Sequence, residues 1–198
     1  PEGMSIPESN VLMTVENTCP KCFWLTSFIE TLLVQNWYPS TVATLSREAK
    51  KIILKYLNWT GDPSQIGFKL HDFGCRGSTS MESAGIGGAA HLVNFFGTDT
   101  IPALEVARDY YDAGICGNSI PASEHSTITS WGREHETNAY ENMIDRYSNG
   151  LMACVSDSYD IMAACDIWGT TLKTKIIGRN GVFICRPDSG KPEVIVPQ

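Results

Sequence analysis

A chain of 198 residues is long enough to bury a real core, as one large domain or two small ones. Its 42% hydrophobic and 19% charged residues describe an ordered globular protein, and a net charge of −7 argues against a general nucleic-acid surface, so any phosphate must be held by single arginines and backbone N–H groups. No secretory-signal pattern and no apolar run near the ~20 residues of a bilayer span is visible, and seven cysteines without a framework fit a reducing compartment; a cytoplasmic protein without nucleic-acid or membrane partners is expected.

Residues 1–18 read as short alternating strands, with Val11, Met13 and Val15 on one face after a Pro7-Glu8-Ser9-Asn10 turn. Residues 1–20 are therefore expected to be part of a β-rich domain and residues 21–62 a helical lead-in. Phe23, Leu25, Phe28, Ile29, Leu32 and Leu33 recur at helical spacing, Pro39 is expected to interrupt, and a second helix over 41–57 carries Lys50, Lys51 and Lys55 on its wet face. Gly61-Asp62-Pro63 breaks it. Trp24, Trp37 and Tyr38 are expected in a core or an interface. Cys19 and Cys22 form a CxxC, but no second pair or ligand-spaced histidine completes a zinc site. The segment before the pair reads as antiparallel β, unlike a thioredoxin-type βαβ unit. The pair is expected to be structural; a redox domain is the reading it competes with. The Asn58-Trp59-Thr60 sequon is expected to go unused in the cytoplasm.

From Phe68 onward strands and helices alternate. Strands are expected over 68–72, 92–96, 119–122, 153–156, 182–185 and 194–197, and helices over 80–91, 101–112, 127–146 and 159–168. Repeated βα units with polar motifs after the strands predict an α/β fold: a partial parallel (β/α) barrel preceded by a short β segment and helices. Residues 63–198 would be the first part of the barrel, the catalytic domain. A closed barrel needs eight strands and this chain supplies five or six, so an interior fragment or one piece of a split protein is expected.

Residues 69–100 are the most informative stretch. They place His71, Phe73, Arg76 and Asp99 at the carboxyl ends of two neighbouring strands, the edge where ligands bind in parallel α/β folds. The side chains suit a flat aromatic substrate beside an anionic one: a ring to stack on, an arginine fork for phosphate, a carboxylate for an amide or hydroxyl. Each has a plainer reading too. Phe73 sits equally well in a barrel-mouth core, and Asp99 in GTDT-I-P equally well caps a helix starting near Ile101. His125, after Glu124 and just before a helix, is either structural or a neutral imidazole able to attack phosphate. His71 is expected to orient its neighbours, and His91 and His135 to be packing or surface residues.

HDFGCRG, GTDT, SIPASEHSTITSWG, VSDSYDI and CRPDSG, in this order and spacing, resemble the nicotinamide phosphoribosyltransferase family, and the resemblance covers almost the whole chain. It implies an enzyme, a pentosyltransferase of NAD biosynthesis, joining nicotinamide to phosphoribosyl pyrophosphate to give the mononucleotide and pyrophosphate. The nicotinate-using relative is the alternative within enzymes, and a non-catalytic assembly or binding protein keeping the fold is the alternative outside them. The family is dimeric with shared sites, which implies a homodimer. It also implies a tyrosine from the other subunit N-terminal to this chain, and glycine-rich phosphate loops beyond Gln198.

The resemblance assigns roles residue by residue. Phe73 would stack on the pyridine ring, and Asp99 would accept from the carboxamide and repel a carboxylate. Arg76 would meet the pyrophosphate, and Arg186 would donate to the amide carbonyl. Ser119 and Asp157 join the substrate-binding set. Asp188 would hold ribose hydroxyls or act through Mg²⁺, which comes with phosphoribosyl pyrophosphate; no resident metal is expected. His125 would be phosphorylated by ATP, coupling hydrolysis to base transfer. Position 75 is cysteine where the family more often has tyrosine, so a pocket hydroxyl is missing there.

Overall fold

The computed structural model describes residues 2–197 and divides into two compact units, one running to Ser119 and the other beginning at Ile120. Among the described residues no helix is long and apolar enough to cross a membrane.

The first unit opens with residues 2–19, which form no strand. The turn is there, closed by the Asn10 side-chain amide donating to the Pro7 carbonyl at 3.2 Å, but the alternating segment after it meets no partner strand. Val11 is 75% and Leu12 70% exposed, so alternation without a ladder leaves extended chain. The first two helices are α1 (Leu25–Val34) and α2 (Trp37–Thr60). Pro39 does not interrupt. It lies in the first turn of α2, where a missing N–H costs nothing. Trp24 and Trp37 are exposed rather than in the core of this unit. Asp62 then accepts from the Ser64 N–H at 2.9 Å and starts a 3₁₀ turn over Pro63–Phe68.

The remaining elements of this unit are β1 (His71–Asp72), α3 (Met81–Leu92), β2 (Gly97–Thr98) and α4 (Ile101–Tyr111). Ser80 caps α3: its hydroxyl accepts from the Ser83 N–H at 3.1 Å, and Ser83 answers the Ser80 N–H at 3.3 Å. Glycine at position 88 lets α3 lie against α4, because a Cβ there would come within 2.6 Å of the Ala103 Cβ. Strands β1 and β2 are parallel, with His71 opposite Gly97 and Asp72 opposite Thr98, and Gly97 bridges onward to Asn118 in parallel. Both strands are shorter than the apolar runs suggest. Helix α3 continues through Leu92, and Phe95 turns into the core at 0% exposure instead of alternating along a strand.

The second unit contains α5 (His125–Thr129), α6 (Glu136–Arg146), β3 (Met152–Val155), α7 (Ile161–Asp166), α8 (Lys173–Ile177), β4 (Phe183–Arg186) and α9 (Pro192–Ile195). Strands β3 and β4 pair in parallel, from Met152 opposite Phe183 to Val155 opposite Arg186. The strand expected over 119–122 reduces to one parallel bridge, Ala122 to Ala153. The single helix expected over 127–146 is cut in two at Gly132, whose φ of +83° is the left-handed region that favours glycine. The strand expected over 194–197 is instead the short helix α9, with Pro192 at its first position. The core is built around Tyr140, Ile128, Met152, Val155 and Leu172. Trp168 stacks on Tyr140 at 4.3 Å and contacts Phe183 at 4.4 Å. Its indole N–H donates to the Ser156 hydroxyl at 3.1 Å, tying the helical layer to the end of β3. The architecture is mixed α/β with short parallel strands.

Candidate active site

In the first unit, polar side chains gather where β1 and β2 end. His71 Nε2 lies 2.9 Å from Asp99 Oδ1, and since an ionised carboxylate only accepts, the imidazole donates through Nε2. The Ser119 hydroxyl donates to the same oxygen. Asp99 is thus held from two sides. It is not the cap of α4: that position is Thr100, which makes no side-chain cap bond. The Asp99 side chain is 45% exposed, so it is held and still open to solvent.

Phe73 stands beside this carboxylate. Its ring lies 4.8 Å from that of His71, tilted by 37°, and it is 60% exposed. An aromatic face left this open is no core residue of this unit. Asp72 fixes the turn that carries Phe73: its carboxylate accepts from the Gly74 N–H at 2.7 Å and the Thr98 hydroxyl at 3.2 Å. Arg76 follows in the 3₁₀ turn Gly74–Gly77. Gly97 leaves room for the His71 ring, because a Cβ there would meet Nδ1 at 2.6 Å. Behind this edge His91 is a buried packing residue, its Nδ1 3.1 Å from the Ser46 hydroxyl and its ring stacked on Phe95. Burial pushes its pKa down.

The second unit assembles another polar cluster at the ends of β3 and β4. His125 opens α5, with Nδ1 3.0 Å from the Ser158 hydroxyl. Its Nε2 faces two carboxylates, Asp188 Oδ2 at 3.3 Å and Asp157 Oδ1 at 3.8 Å. Asp157 is the anchor. Its side chain is 6% exposed, and Oδ2 accepts from the Asp188 N–H, the Ser189 N–H and the Ser189 hydroxyl at 2.7, 2.6 and 2.6 Å. Burial pushes this carboxyl up, but the Ser189 hydroxyl and the two backbone N–H groups outweigh it and hold it below the ordinary carboxylate range. Asp157 Oδ1 is buried with no hydrogen-bond partner.

Arg186 ends β4. Its Nη2 donates to the Ser123 carbonyl at 2.9 Å and its Nε sits 3.9 Å from Asp188 Oδ1, buried and without a hydrogen-bond partner. Ser123 reaches back to β3, where its hydroxyl accepts from the Val155 N–H at 2.9 Å.

The structure thus brings Phe73, Asp99 and Ser119 together around His71, and His125, Asp157, Asp188 and Arg186 together in the second unit. Sequence reasoning missed Ser158 and Ser189, although both lie inside the motifs VSDSYDI and CRPDSG. It also passed over Asp72, the turn-former in HDFG. All seven cysteines, Cys19 and Cys22 included, are free thiols. Among the described residues no group of three or more histidines, cysteines or carboxylates is placed to hold a metal ion.

Comparison with known proteins gives these clusters a context. Over its whole length the chain is 53% identical to a nicotinamide phosphoribosyltransferase of Xanthomonas campestris pv. campestris (strain 8004), of which it covers 43%. It is 34% identical to a nicotinamide phosphoribosyltransferase of Acinetobacter baylyi and covers 41% of it. It is 32% identical to one of Mycoplasma pneumoniae and covers 42% of that. The chain therefore spans less than half the length of the curated relatives it matches. Residues 68–197, which hold both polar clusters, match the model of the nicotinate phosphoribosyltransferase (NAPRTase) family, and the chain belongs to that family.

Proposed function

We propose that this chain supplies substrate-binding and phosphoryl-accepting residues of a nicotinamide phosphoribosyltransferase. The enzyme would join nicotinamide to phosphoribosyl pyrophosphate and release the mononucleotide and pyrophosphate. One observation carries the choice of base: Asp99, held by His71 and Ser119 beside the open face of Phe73. A carboxylate offers only acceptors, which suits a carboxamide NH₂ and repels a carboxylate. The names of the relatives support the same reading. The family description, which names nicotinate, supports the second one, and Asp99 argues against it.

In the reaction, the pyridine nitrogen displaces pyrophosphate at C1 of the ribose through an oxocarbenium-like transition state. The protein must then position the ring and neutralise the leaving group. Phe73 stacks on the ring. Arg76 meets the pyrophosphate, and Arg186, whose buried Nε has no acceptor, donates to substrate. Ser119 acts chiefly through Asp99. Mg²⁺ would travel with the pyrophosphate, keeping waters and taking one or two carboxylates; the orphaned Asp157 Oδ1 beside Asp188 suits that contact.

His125 is the phosphoryl acceptor in this reading, with ATP as donor. The Asp188 carboxylate, 3.3 Å from Nε2, favours the tautomer that carries the ring proton there. Nδ1 then carries the free electron pair, and the Ser158 hydroxyl in front of it holds the ring until it turns aside. Successive strands pairing in parallel within each unit support a (β/α) barrel. Exposed Trp37, Tyr56 and Trp59 on α2 support a homodimer.

Equilibrium binding to the whole enzyme tests the choice of base. Nicotinamide should bind at least about tenfold tighter than nicotinate, roughly the 1.4 kcal/mol of one modest hydrogen bond. Equal or tighter nicotinate binding refutes it.

A further inference from the structure

Cys165 and Cys185 take no part in the clusters described above, yet they line one cavity. Cys165 lies near the end of α7 and is exposed; Cys185 lies on β4 and is half-buried. Both line one cavity of about 320 Å³, whose other walls are Ile161, Met162, Pro187, Ile195 and Val196. Burial first, and then the neighbouring Cys165 thiol, push the Cys185 thiol up. Two free thiols lining one apolar cavity, one open to solvent and one half-buried, suit a peroxide-reactive cysteine and its resolving partner. Cys185 also occupies a consequential place, one residue before Arg186 and three before Asp188.

We propose that Cys165 and Cys185 form a reversible disulfide, with a peroxide as oxidant, that pins α7 to β4 and shifts the His125–Asp188 contact.

The Cys165 thiolate attacks a peroxide oxygen and breaks the O–O bond. This leaves a sulfenic acid on Cys165 and releases hydroxide, which takes a proton to become water. Cys185, deprotonated in the step, attacks the Cys165 sulfur and expels a second hydroxide, which leaves as water. Two thiols lose two electrons and two protons, and one hydrogen peroxide becomes two waters. The order follows from exposure: Cys165 is open to solvent, whereas burial pushes the Cys185 thiol up and disfavours its thiolate. Cys154, opposite Cys185 in the β3–β4 register, is no competitor. It is fully buried, burial pushes its pKa up to about 11, and the Ser123 hydroxyl occupies its sulfur at 3.3 Å.

The test uses the purified protein, treated with a small molar excess of hydrogen peroxide and mapped as non-reduced peptides. A Cys165–Cys185 linked peptide is expected, lost on dithiothreitol and absent from both Cys165→Ala and Cys185→Ser. Cys165→Ala changes an exposed residue and keeps the test independent of folding. In Cys185→Ser, dimedone should label Cys165. The His125 imidazole signals, followed by NMR, should shift on oxidation of the wild type and stay put in Cys165→Ala. Absence of the linked peptide while the exposed Cys19 thiol oxidises overturns the pair. A linked peptide with unmoved His125 signals overturns its effect on the cluster. Neither result bears on which base the enzyme uses.

Discussion

Asp99→Asn is the change that most directly tests the reading of the site. Asparagine keeps one oxygen in place for the donors His71 Nε2 and Ser119 Oγ, but it turns the second carboxylate oxygen into an NH₂. Toward nicotinamide, an acceptor becomes a donor facing a donor, and a charge-assisted hydrogen bond worth about 1.5–3 kcal/mol is lost. At 1.4 kcal/mol per decade that is roughly a 10- to 150-fold fall in kcat/KM. Toward nicotinate, the repulsion between two carboxylates disappears. At about 4 Å it amounts to roughly 1 kcal/mol in water and about 4 kcal/mol at an effective dielectric of 20. With Asp99 45% exposed the lower part of that range applies, so nicotinate use should rise about tenfold. Neutralising the two internal hydrogen bonds costs about 1 kcal/mol of stability, a drop of a few degrees in Tm. The assay compares kcat/KM for both bases in the whole enzyme. If the nicotinamide-to-nicotinate ratio stays where it was while Tm falls as expected, Asp99 only braces His71 and Ser119, and the choice of nicotinamide loses its physical support.

Three further outcomes follow from the geometry. Ser156→Ala removes the acceptor of the buried Trp168 indole; unfolding in urea should show a loss of about 1–3 kcal/mol, and an unchanged midpoint would mean that water replaces the hydroxyl. Asp157, held below the ordinary carboxylate range, contributes stability that is complete above its unfolded value of about 4 and is lost as pH falls through the folded one. The Tm advantage of wild type over Asp157→Asn should therefore be flat from neutral pH to about 5 and shrink below about 4; an advantage that grows on acidification contradicts the assignment. Light scattering of the whole enzyme at micromolar concentration should give a dimer, with the exposed aromatic side chains of α2 covered; a clean monomer refutes the use of that face.

The fold was legible where a local signal had one physical meaning. The helix expected over 80–91 appears as α3 (Met81–Leu92), with Ser80 at its cap. The β3 and β4 runs are short, apolar and bounded by polar turns, and both appear within one residue of expectation. The misreadings came from residues whose meaning depends on their neighbours. Pro39 breaks a helix interior but starts a helix when it falls in the first turn, and its place relative to Trp37 decided that. Val11, Met13 and Val15 carry the period of a strand, but a strand exists only against a partner, and the alternation says nothing about one. Leu92 to Phe96 is apolar enough for a strand, yet Leu92 closes α3 and Phe95 fills the core.

The functional clusters follow a simpler rule than the fold. In the first unit the carboxyl ends of β1, of β2 and of the segment bridged at Asn118 carry Phe73, Asp99 and Ser119 in turn. In the second, the segment bridged at Ala122, then β3 and β4, deliver His125, Asp157 and Asp188. Within each unit, parallel pairing brings these ends to one edge without any side chain specifying it, which is why residues far apart in sequence gather in one cluster there. The supporting hydroxyls were not readable in the same way. Ser158 and Ser189 are ordinary loop serines until the fold sets one against His125 Nδ1 and the other against Asp157 Oδ2. A charged group at a strand end is conspicuous because water would hold it better unless the site uses it. A serine costs little anywhere, so its role appears only once its partner's position is known.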